Sequence, residues 1–482
     1  MPEYQADIGM EVHAELLTES KMFCGCANAF GGEPNTRCCP VCLGMPGALP
    51  VMNRKAVEFV VRAALALHCR INRDARFDRK NYYYPDLPKG YQISQYDRPI
   101  GESGWLDIEV DGRTKRVAIR RVHLEEDTGK LFHVAGDESH VDYNRSGVPL
   151  MEIVTEFPPD MHTAEEARAY LVQLRSILTY IGVSDGKMEE GSLRCEPNLS
   201  VRPVGSPTLG TKTEIKNLNS FRAVFRGVEY EVARQIRLLE RGETVRQETR
   251  GWNDARGETF AQRSKEVEQE YRYFPEPDLV PLALSEEWIE QIRSGMPELP
   301  DAARARFMRD YALSPYDAAF LTETRATAAF FEEAARLAGD AKAVANWIMG
   351  DFARLLNAEN REIGDCKVTP AHLAGLVKLI RDGAISGKMA KGLFERMYQT
   401  GADPFELAAA EGPQIRDEGA IAGIIDQVIA AQNEVWTALV AGDDKKFGYF
   451  VGQIMKASQG KANPQEANRL LKERLERERN SA

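Results

Sequence analysis

The chain has 482 residues, enough for about two to four domains, and its 43% hydrophobic and 28% charged residues are ordinary for a globular protein. No apolar run approaches the roughly 20 residues of a membrane span, and the chain starts with neither a basic segment nor an apolar signal core. We therefore expect a cytoplasmic protein. The net charge of −11 argues against a protein that coats nucleic acid non-specifically.

Residues 9–17 alternate polar and apolar side chains and predict a β-strand. Glu11, His13 and Glu15 would project from one face of this strand, and apolar residues from the other. Two carboxylates that flank an imidazole are costly to place together unless a cation, a proton or a charged substrate compensates. The alternative is the solvated face of an antiparallel strand.

Four cysteines follow in two short pairs, Cys24 with Cys26 and Cys39 with Cys42, separated by a twelve-residue loop. Four thiolates on Gly- and Pro-rich turns can surround zinc tetrahedrally, which leaves no open position and predicts a structural ion that staples the loop. Cys38 is an alternative ligand to Cys39. A redox pair is the rival interpretation, but Cys39 and Cys42 lack the helix-start context of such a motif.

Residues 52–67 predict an amphipathic helix. The next unusual segment, residues 77–96, carries five tyrosines among Arg79, Lys80 and Lys89, and its prolines exclude a helix. Aromatic rings interleaved with cations can stack a base and hold phosphates. The alternative is a Pro-rich loop whose rings pack on the core.

Acidic residues recur in the strands that follow. Residues 105–121 predict a hairpin around an Asp-Gly turn, and three consecutive acids come next, at Glu125, Glu126 and Asp127. Residues 142–156 contain an apolar strand that carries Glu152. A carboxylate in an apolar strand is a stronger functional candidate than one in a surface run.

The rest of the chain is predicted to be mainly helical. Residues 163–181 and 220–241 predict helices, and a charged strand between them places Lys212, Glu214 and Lys216 on one face. After Pro281 the composition becomes Ala-rich and helical, without a strand pattern, and residues 401–404 mark a second boundary.

The end of the chain is basic. From Lys445 onward the chain contains nine Lys or Arg and four Glu, a local excess of five positive charges on an acidic protein. This pattern predicts a localised anionic partner, and the alternative is a solvated terminal helix. Glycines accompany the cations in a way that suits backbone approach to phosphate. The candidate phosphate contacts are Lys445, Lys446, Lys456 and Lys461.

The oxygen-rich clusters of the first 280 or so residues suit Mg²⁺, which keeps waters and bridges substrate phosphates. His13 is a softer ligand and could equally serve as an acid or base. No G-x-x-x-x-G-K-[ST] loop is present, so ATP binding would not use a P-loop. The residues thus predict a zinc-stapled, metal-dependent enzyme with a basic helical appendage, and they leave its substrate open.

Several ordered motifs together resemble the B subunit of the aspartyl/glutamyl-tRNA amidotransferase family, and the resemblance runs essentially end to end. The motifs are GMEVH at residues 9–13, the cysteine block at 24–47, RKNY at 79–82, HLEED at 123–127, LMEI at 150–153, KNLNSF at 216–221, RYFPEPDL at 272–279 and VGQIMK at 451–456.

The resemblance implies a carbon–nitrogen ligase that uses ATP to activate the side-chain carboxylate of Glu-tRNA(Gln) or Asp-tRNA(Asn) for attack by ammonia. It implies Mg²⁺ held by catalytic residues, with either Glu125 or Glu126 as a direct ligand; these residues are Glu11, His13, Glu125, Glu126 and Glu152. It also implies substrate or nucleotide contacts from Lys80, Tyr82, Lys212, Glu214 and Lys216.

The implied fold is α+β. A mixed α/β cradle domain with the zinc-stapled loop would span residues 1–292, an all-α helical domain 293–401 and a helical, tRNA-binding tail domain 402–482. The implied cofactors are ATP, Mg²⁺ and Zn²⁺. The implied partners are misacylated tRNA and, in a heterotrimer, an amidase (glutaminase) subunit with a small third subunit. The alternatives are a non-catalytic tRNA-docking subunit and a free-standing ligase of another acid; absence of a glutaminase signature disfavours the latter.

Overall fold

A computed structural model describes residues 3–133, 138–264, 271–359, 361–412, 415, 417–458 and 460–480. The chain divides into two compact units, residues 1–299 and residues 300–482. The first unit combines strands and helices, and the regular elements described in the second are helices. The predicted mixed α/β architecture with a helical C-terminal region is therefore confirmed.

The strands that the structure describes lie in the first unit. They are β1 (Tyr4–Glu15), β2 (Arg70–Ile71), β3 (Asp74–Ala75), β4 (Asp78–Asn81), β5 (Tyr91–Ser94), β6 (Gly101–Val110), β7 (Arg113–Glu126), β8 (Lys130–His133), β9 (Ser139–Asp142), β10 (Pro149–Thr155), β11 (Leu193–Pro203), β12 (Thr213–Lys216), β13 (Glu248–Asn253), β14 (Glu258–Ser264), β15 (Phe274–Pro275) and β16 (Leu282–Ala283). The helices described there are α1 (Arg54–Ala66), α2 (Ala164–Tyr180), α3 (Phe221–Glu240) and α4 (Glu286–Ser294).

Nine strands form one sheet in the order β14-β13-β12-β11-β1-β10-β7-β6-β2. Neighbouring strands are antiparallel except for the parallel pair β12 and β13. The predicted opening strand β1 lies at the centre, paired with β10 on one side and β11 on the other. It is therefore the strand from which both halves of the sheet extend.

One face of this sheet forms the hydrophobic core. Met10, Val12 and Ala14 of β1 are almost completely buried, and α1, α2 and α3 cover this face. Because successive side chains of a strand point to opposite faces, the polar residues of β1 occupy the other face. We call that other side of the sheet the polar face.

A bulge decides which residues of β7 reach the polar face. Ile119 and Val122 are three residues apart, yet both are completely buried in the core, so the alternation slips by one residue at Arg120. Opposite Arg120, Ser103 of β6 adopts φ +54°, and the register between β7 and β10 shifts at the same level. Without this slip His123 would point into the core.

A small sheet, in the order β15-β4-β5, joins two Pro-rich segments that lie far apart in sequence. Arg79 of β4 donates to both carboxylate oxygens of Glu276, at 2.7 and 2.9 Å, and pairs with Asp278 at 3.0 Å. Its guanidinium also lies 4.2 Å from the centre of the Tyr91 ring. Bidentate pairing of this kind fixes the two segments relative to each other.

The second unit is a stack of short helices. They are α5 (Pro300–Asp310), α6 (Pro315–Leu321), α7 (Arg325–Ala338), α8 (Ala341–Trp347), α9 (Ala353–Glu359), α10 (Pro370–Arg381), α11 (Gly387–Thr400), α12 (Pro404–Glu411), α13 (Glu418–Ala431), α14 (Asn433–Val440), α15 (Phe447–Ala457) and α16 (Pro464–Arg479). Buried aromatic residues such as Phe331, Phe394 and Phe450 fill its interior. In the part of the chain that is described, no helix is long and apolar enough to cross a membrane.

Candidate active site

The strand register collects charged side chains in the middle of the polar face. His13 of β1 lies opposite Glu152 of β10 on one side and Arg194 of β11 on the other. Glu152 in turn lies opposite His123 of β7. Residues paired across antiparallel strands share a face and lie close together, so residues separated by more than a hundred positions become neighbours.

Three of the predicted metal ligands converge here, and we call them the central triad: His13, Glu125 and Glu152. The Nε2 atom of His13 lies 3.7 Å from a Glu125 oxygen and 3.9 Å from a Glu152 oxygen. One ligand atom from each of the three lies within 4.8 Å of the others. Two carboxylates and one imidazole at this spacing form a donor set that fits a divalent cation.

His123, a buried residue of β7, contacts both carboxylates of the central triad. Its Nε2 atom lies 2.9 Å from Glu152 and 3.5 Å from Glu125, and the residue is 1% exposed. Its Nδ1 atom is buried and has no hydrogen-bond partner within the described ranges. One imidazole therefore holds both carboxylates, in the manner of partners that orient metal ligands.

The central carboxylates are held in their charged form. Burial opposes ionisation of Glu152, but His123 and then His13 outweigh it and hold its pKa below the usual value. Burial likewise opposes ionisation of Glu125, and the hydrogen bond from His123 lowers its pKa. Ionised carboxylates are the form that binds a cation.

A second acidic group, Glu11 with Glu196 and Glu214, lies on the adjacent strands, with oxygens within 4.8 Å of one another. Lys216 approaches Glu196 at 2.8 Å and Glu214 at 3.6 Å. Burial, followed by the charges of Glu152 and Glu196, raises the pKa of Glu11. Three acids facing one lysine leave excess negative charge, so an oxygen-binding cation such as Mg²⁺ fits this group as well.

Glu125 and Glu126 point to opposite faces of β7. Glu126 forms an ion pair with Lys89 and accepts a hydrogen bond from the Ile93 amide at 3.0 Å. Of the two alternatives that the sequence leaves open, the structure places Glu125 beside His13 and does not bring Glu126 there.

Lys80 approaches the site from the small sheet, and Tyr82 follows the end of its strand. The Lys80 ammonium lies 4.8 Å from the centre of the Tyr271 ring. Burial opposes its charge, but the negative charge of Glu125 raises its pKa, so Lys80 stays a cation next to the central triad. Tyr82 stacks on Tyr84 with ring centres 5.7 Å apart.

Further charged residues lie on or next to the strands of the polar face. Lys212, a predicted contact residue, stands exposed immediately before β12. At the other end of the face, Asp127 pairs with Arg194 at 2.5 Å and with Arg145 at 3.6 Å. Burial and then the nearby Asp127 raise the pKa of Glu15 to about 8.

The four predicted zinc ligands form a compact cluster of sulfur atoms. Cys42 Sγ lies 3.5 Å from Cys24, 3.8 Å from Cys39 and 3.8 Å from Cys26. Tetrahedral zinc with Zn–S bonds of about 2.3 Å has S···S edges of about 3.8 Å, so the cluster has the size that a metal requires. Cys38 is directed away, with its thiol donating to the Asn35 carbonyl at 3.3 Å.

The tail lysines differ in their surroundings. Lys445 and Lys456 are exposed at the two ends of α15. Lys446 pairs with Asp443 at 3.1 Å, and Lys461 donates to a backbone carbonyl at the end of α12 at 2.7 Å. Lys461 therefore has a structural contact as well as its predicted role.

His123 and Glu196 were not singled out from the sequence as site residues, although both lie in charge-dense segments. Strand pairing alone brings them into the site, because His123 faces Glu152 and Glu196 faces Glu11.

Comparison of the sequence with known proteins identifies the family. The GatB/GatE catalytic domain family matches residues 6–290, and the GatB domain family matches residues 329–475. Proteins named as the B subunit of aspartyl/glutamyl-tRNA(Asn/Gln) amidotransferase are similar over 98% of this chain: that of Thermoanaerobacter sp. (strain X514) is 56% identical over 99% of its own length, and that of Moorella thermoacetica 55% over 100%. The chain belongs to the family of aspartyl/glutamyl-tRNA(Asn/Gln) amidotransferase B subunits.

Proposed function

We propose that this chain activates the side-chain carboxylate of Glu-tRNA(Gln), of Asp-tRNA(Asn) or of both, at the expense of ATP, for conversion to the amide. The observation that carries the proposal is the central triad, in which two ionised carboxylates and one imidazole converge within the part of the chain that matches the family's catalytic domain. Ammonia would come from the glutaminase reaction of a partner amidase, in a heterotrimer that also contains a small third subunit.

Transfer of a phosphoryl group to a carboxylate brings two anions together. A magnesium ion held by the central triad would neutralise charge between them. Lys80 contributes a fixed cation beside Glu125, and His123 keeps the two central carboxylates oriented and charged. Lys216 of β12, with Glu11 and Glu214 next to it, would contact a phosphate of the nucleotide or of the substrate.

The cysteine cluster supports a structural zinc ion, which we propose as the staple of the loop between β1 and α1. Lys21, 1% exposed, donates to Cys42 Sγ at 3.5 Å, and the hydrogen bond from Cys24 lowers the pKa of Cys42 to about 4. A buried cation beside a sulfur favours the thiolate form that zinc binds.

Replacing Cys42 by Ser should remove the zinc, whereas replacing Cys38 by Ser should leave about one zinc per chain. The two substitutions are chemically identical and close together in the chain, but only Cys42 lies within the sulfur cluster. Metal analysis of freshly purified protein measures the difference. Full zinc content in the Cys42 variant would contradict the assignment.

We further propose three domains, a catalytic cradle at residues 1–292, a helical domain at 293–401 and a tRNA-binding tail at 402–482. The tail lysines would contact phosphates of the tRNA body, away from the acyl end. We also propose that the protein acts in the cytoplasm, where its tRNA substrates are.

The second candidate function is a non-catalytic tRNA-docking subunit, which the exposed tail lysines also suit. A docking subunit has no need of a buried histidine held between two ionised glutamates, and this observation favours catalysis.

The test is amidation by the assembled complex, with glutamine, ATP and Mg²⁺ and with each misacylated tRNA in turn. We expect ATP hydrolysis coupled to formation of Gln-tRNA(Gln), Asn-tRNA(Asn) or both. Complete amidation without ATP, or ATP turnover that is independent of misacylated tRNA, would contradict the proposal.

A further inference from the structure

A groove of about 640 Å³ opens at the bulge between β6 and β7, next to the polar face. The predicted site residues do not line it. The residues that line it include Tyr96, Ser103, Arg120, Arg121, Glu156 and Phe157.

Two arginines give the groove positive charge. Arg120 occupies the bulge and is exposed, and its side chain makes no hydrogen bond or ion pair with another residue in the described ranges. Arg121 has a buried Nε atom that is likewise without a hydrogen-bond partner in the described part of the chain. A buried guanidinium donor without a partner is costly, so Arg121 is suited to an anionic ligand, and the exposed Arg120 adds a second positive charge beside it.

The acidic residues of the rim cancel only part of this charge. Asp97 pairs with Arg76 at 2.6 Å, and Glu102 pairs with Arg70 at 2.6 Å. Glu156 remains, and its carboxylate accepts a hydrogen bond from the backbone amide of the next residue at 3.0 Å. Its other acceptor sites could receive the exocyclic amino group of adenine or cytosine.

Two aromatic rings line the same groove. Phe157 is 66% exposed and Tyr96 is 54% exposed. Tyr96 is held in place by stacking on Tyr273, with ring centres 4.2 Å apart and planes at 10°, and Arg121 lies 5.8 Å from its centre. Held aromatic rings beside guanidinium groups are the arrangement on which proteins stack unpaired bases.

The groove adjoins the central triad. Arg121 precedes His123 by two residues on the polar face, a distance of about 7 Å along a strand. The positive φ of Ser103 and the register shift show that the backbone departs from regular pairing at this point. Bulges next to active sites redirect side chains, and here the bulge turns Arg120 into the groove.

We propose that this groove binds an unpaired nucleotide, with its base against Phe157 and Tyr96 and its phosphate between Arg120 and Arg121. The inference rests on the proposed function, which supplies two sources of such a nucleotide: ATP and the 3′ end of the misacylated tRNA. Either would place its reacting end toward the central triad.

The test is equilibrium binding of ATP, and separately of uncharged tRNA, to the assembled complex. Phe157→Ala and Arg120→Glu should each weaken one of the two ligands about 10-fold, since a stacked base contributes strongly to affinity. Phe157→Trp should keep the affinity, because it retains the stacking surface. Arg113→Glu, an equal charge change at an exposed position of the same strand, is the control.

Weakening of ATP alone would assign the groove to ATP, and weakening of tRNA alone would assign it to the 3′ end. Unchanged affinity for both ligands, or equal weakening by Arg113→Glu, would overturn the proposal. Binding is measured without amidation, so the two proposals can fail separately. If the unmodified complex did not amidate tRNA but Phe157→Ala still lowered the affinity for ATP or tRNA, the proposed function would be wrong and the groove would still be a nucleotide site.

Discussion

Replacement of Glu152 by Gln should lower the rate of ATP-dependent amidation about 10³-fold, because it removes a charged ligand without changing shape. Glu152 lies 2.9 Å from His123 and 3.9 Å from His13, so its negative charge serves both the bound cation and the imidazole behind it. The rate is to be measured in the assembled complex with saturating misacylated tRNA. The glutaminase reaction of the partner amidase should stay unchanged, since we place that chemistry on another chain.

The matched control is Glu240→Gln, the same substitution at an exposed position at the end of α3. It should keep full activity. Equal thermal stability of the Glu152→Gln complex and the unmodified complex would show that the loss is chemical. If Glu152→Gln and Glu11→Ala both retained full ATP-dependent amidation, the assignment of the activation site would be wrong.

The central strand could be predicted from the sequence because the alternation that identifies it involves only neighbouring residues. An alternation of period 2 in β1 assigns Glu11 and His13 to one face whatever the rest of the chain does. The cysteine pairs are local in the same sense, because their spacing already fits four thiolates around one ion.

The face of β7 could not be predicted in this way. Uninterrupted alternation from Ile119 would place Glu125 in the core and Glu126 on the polar face, which is the reverse of the structure. The slip at Arg120 depends on Ser103 of the neighbouring strand, and on register with β10. The choice between the two glutamates therefore rests on pairing between distant segments.

The order of the strands in the sheet could not be predicted from local sequence patterns either. Glu196 joins Glu11 only because β11 pairs with β1 along most of its length. Such pairing is set by the packing of the whole sheet, so a charged strand such as residues 191–200 can be recognised from sequence while its neighbours cannot.

In the tail, charge reversal of Lys445 and Lys456 should weaken tRNA binding about 10-fold. It should also reduce the slope of log K against log salt concentration by about 1.5 in magnitude, where K is the association constant for tRNA. Both lysines are exposed at the ends of α15, with Gly448 and Gly452 between them. Affinity is to be measured for the assembled complex over a series of salt concentrations. Reversal of Arg113 and Arg256, an equal charge change at exposed positions of the first unit, should leave the salt dependence unchanged.

Substitution of the glycines of α15 can show whether this helix binds phosphate or is only a solvated surface. A Cβ added at Gly448 or at Gly452 would meet nothing within 4 Å, so replacing either by Ala creates no clash and should stabilise the helix, by about 1 kcal/mol at Gly452 in the helix interior and by less at Gly448 in the first turn. If the bare backbone lies against a phosphate path, the same change pushes the tRNA away, and affinity falls while the melting temperature rises. Gly423→Ala, at an equally open and exposed position of α13, should raise the melting temperature and leave tRNA affinity unchanged. Unchanged tRNA affinity in the Gly448→Ala and Gly452→Ala variants would show that α15 does not approach the RNA through its backbone, and any contact with tRNA would then come from its lysines alone.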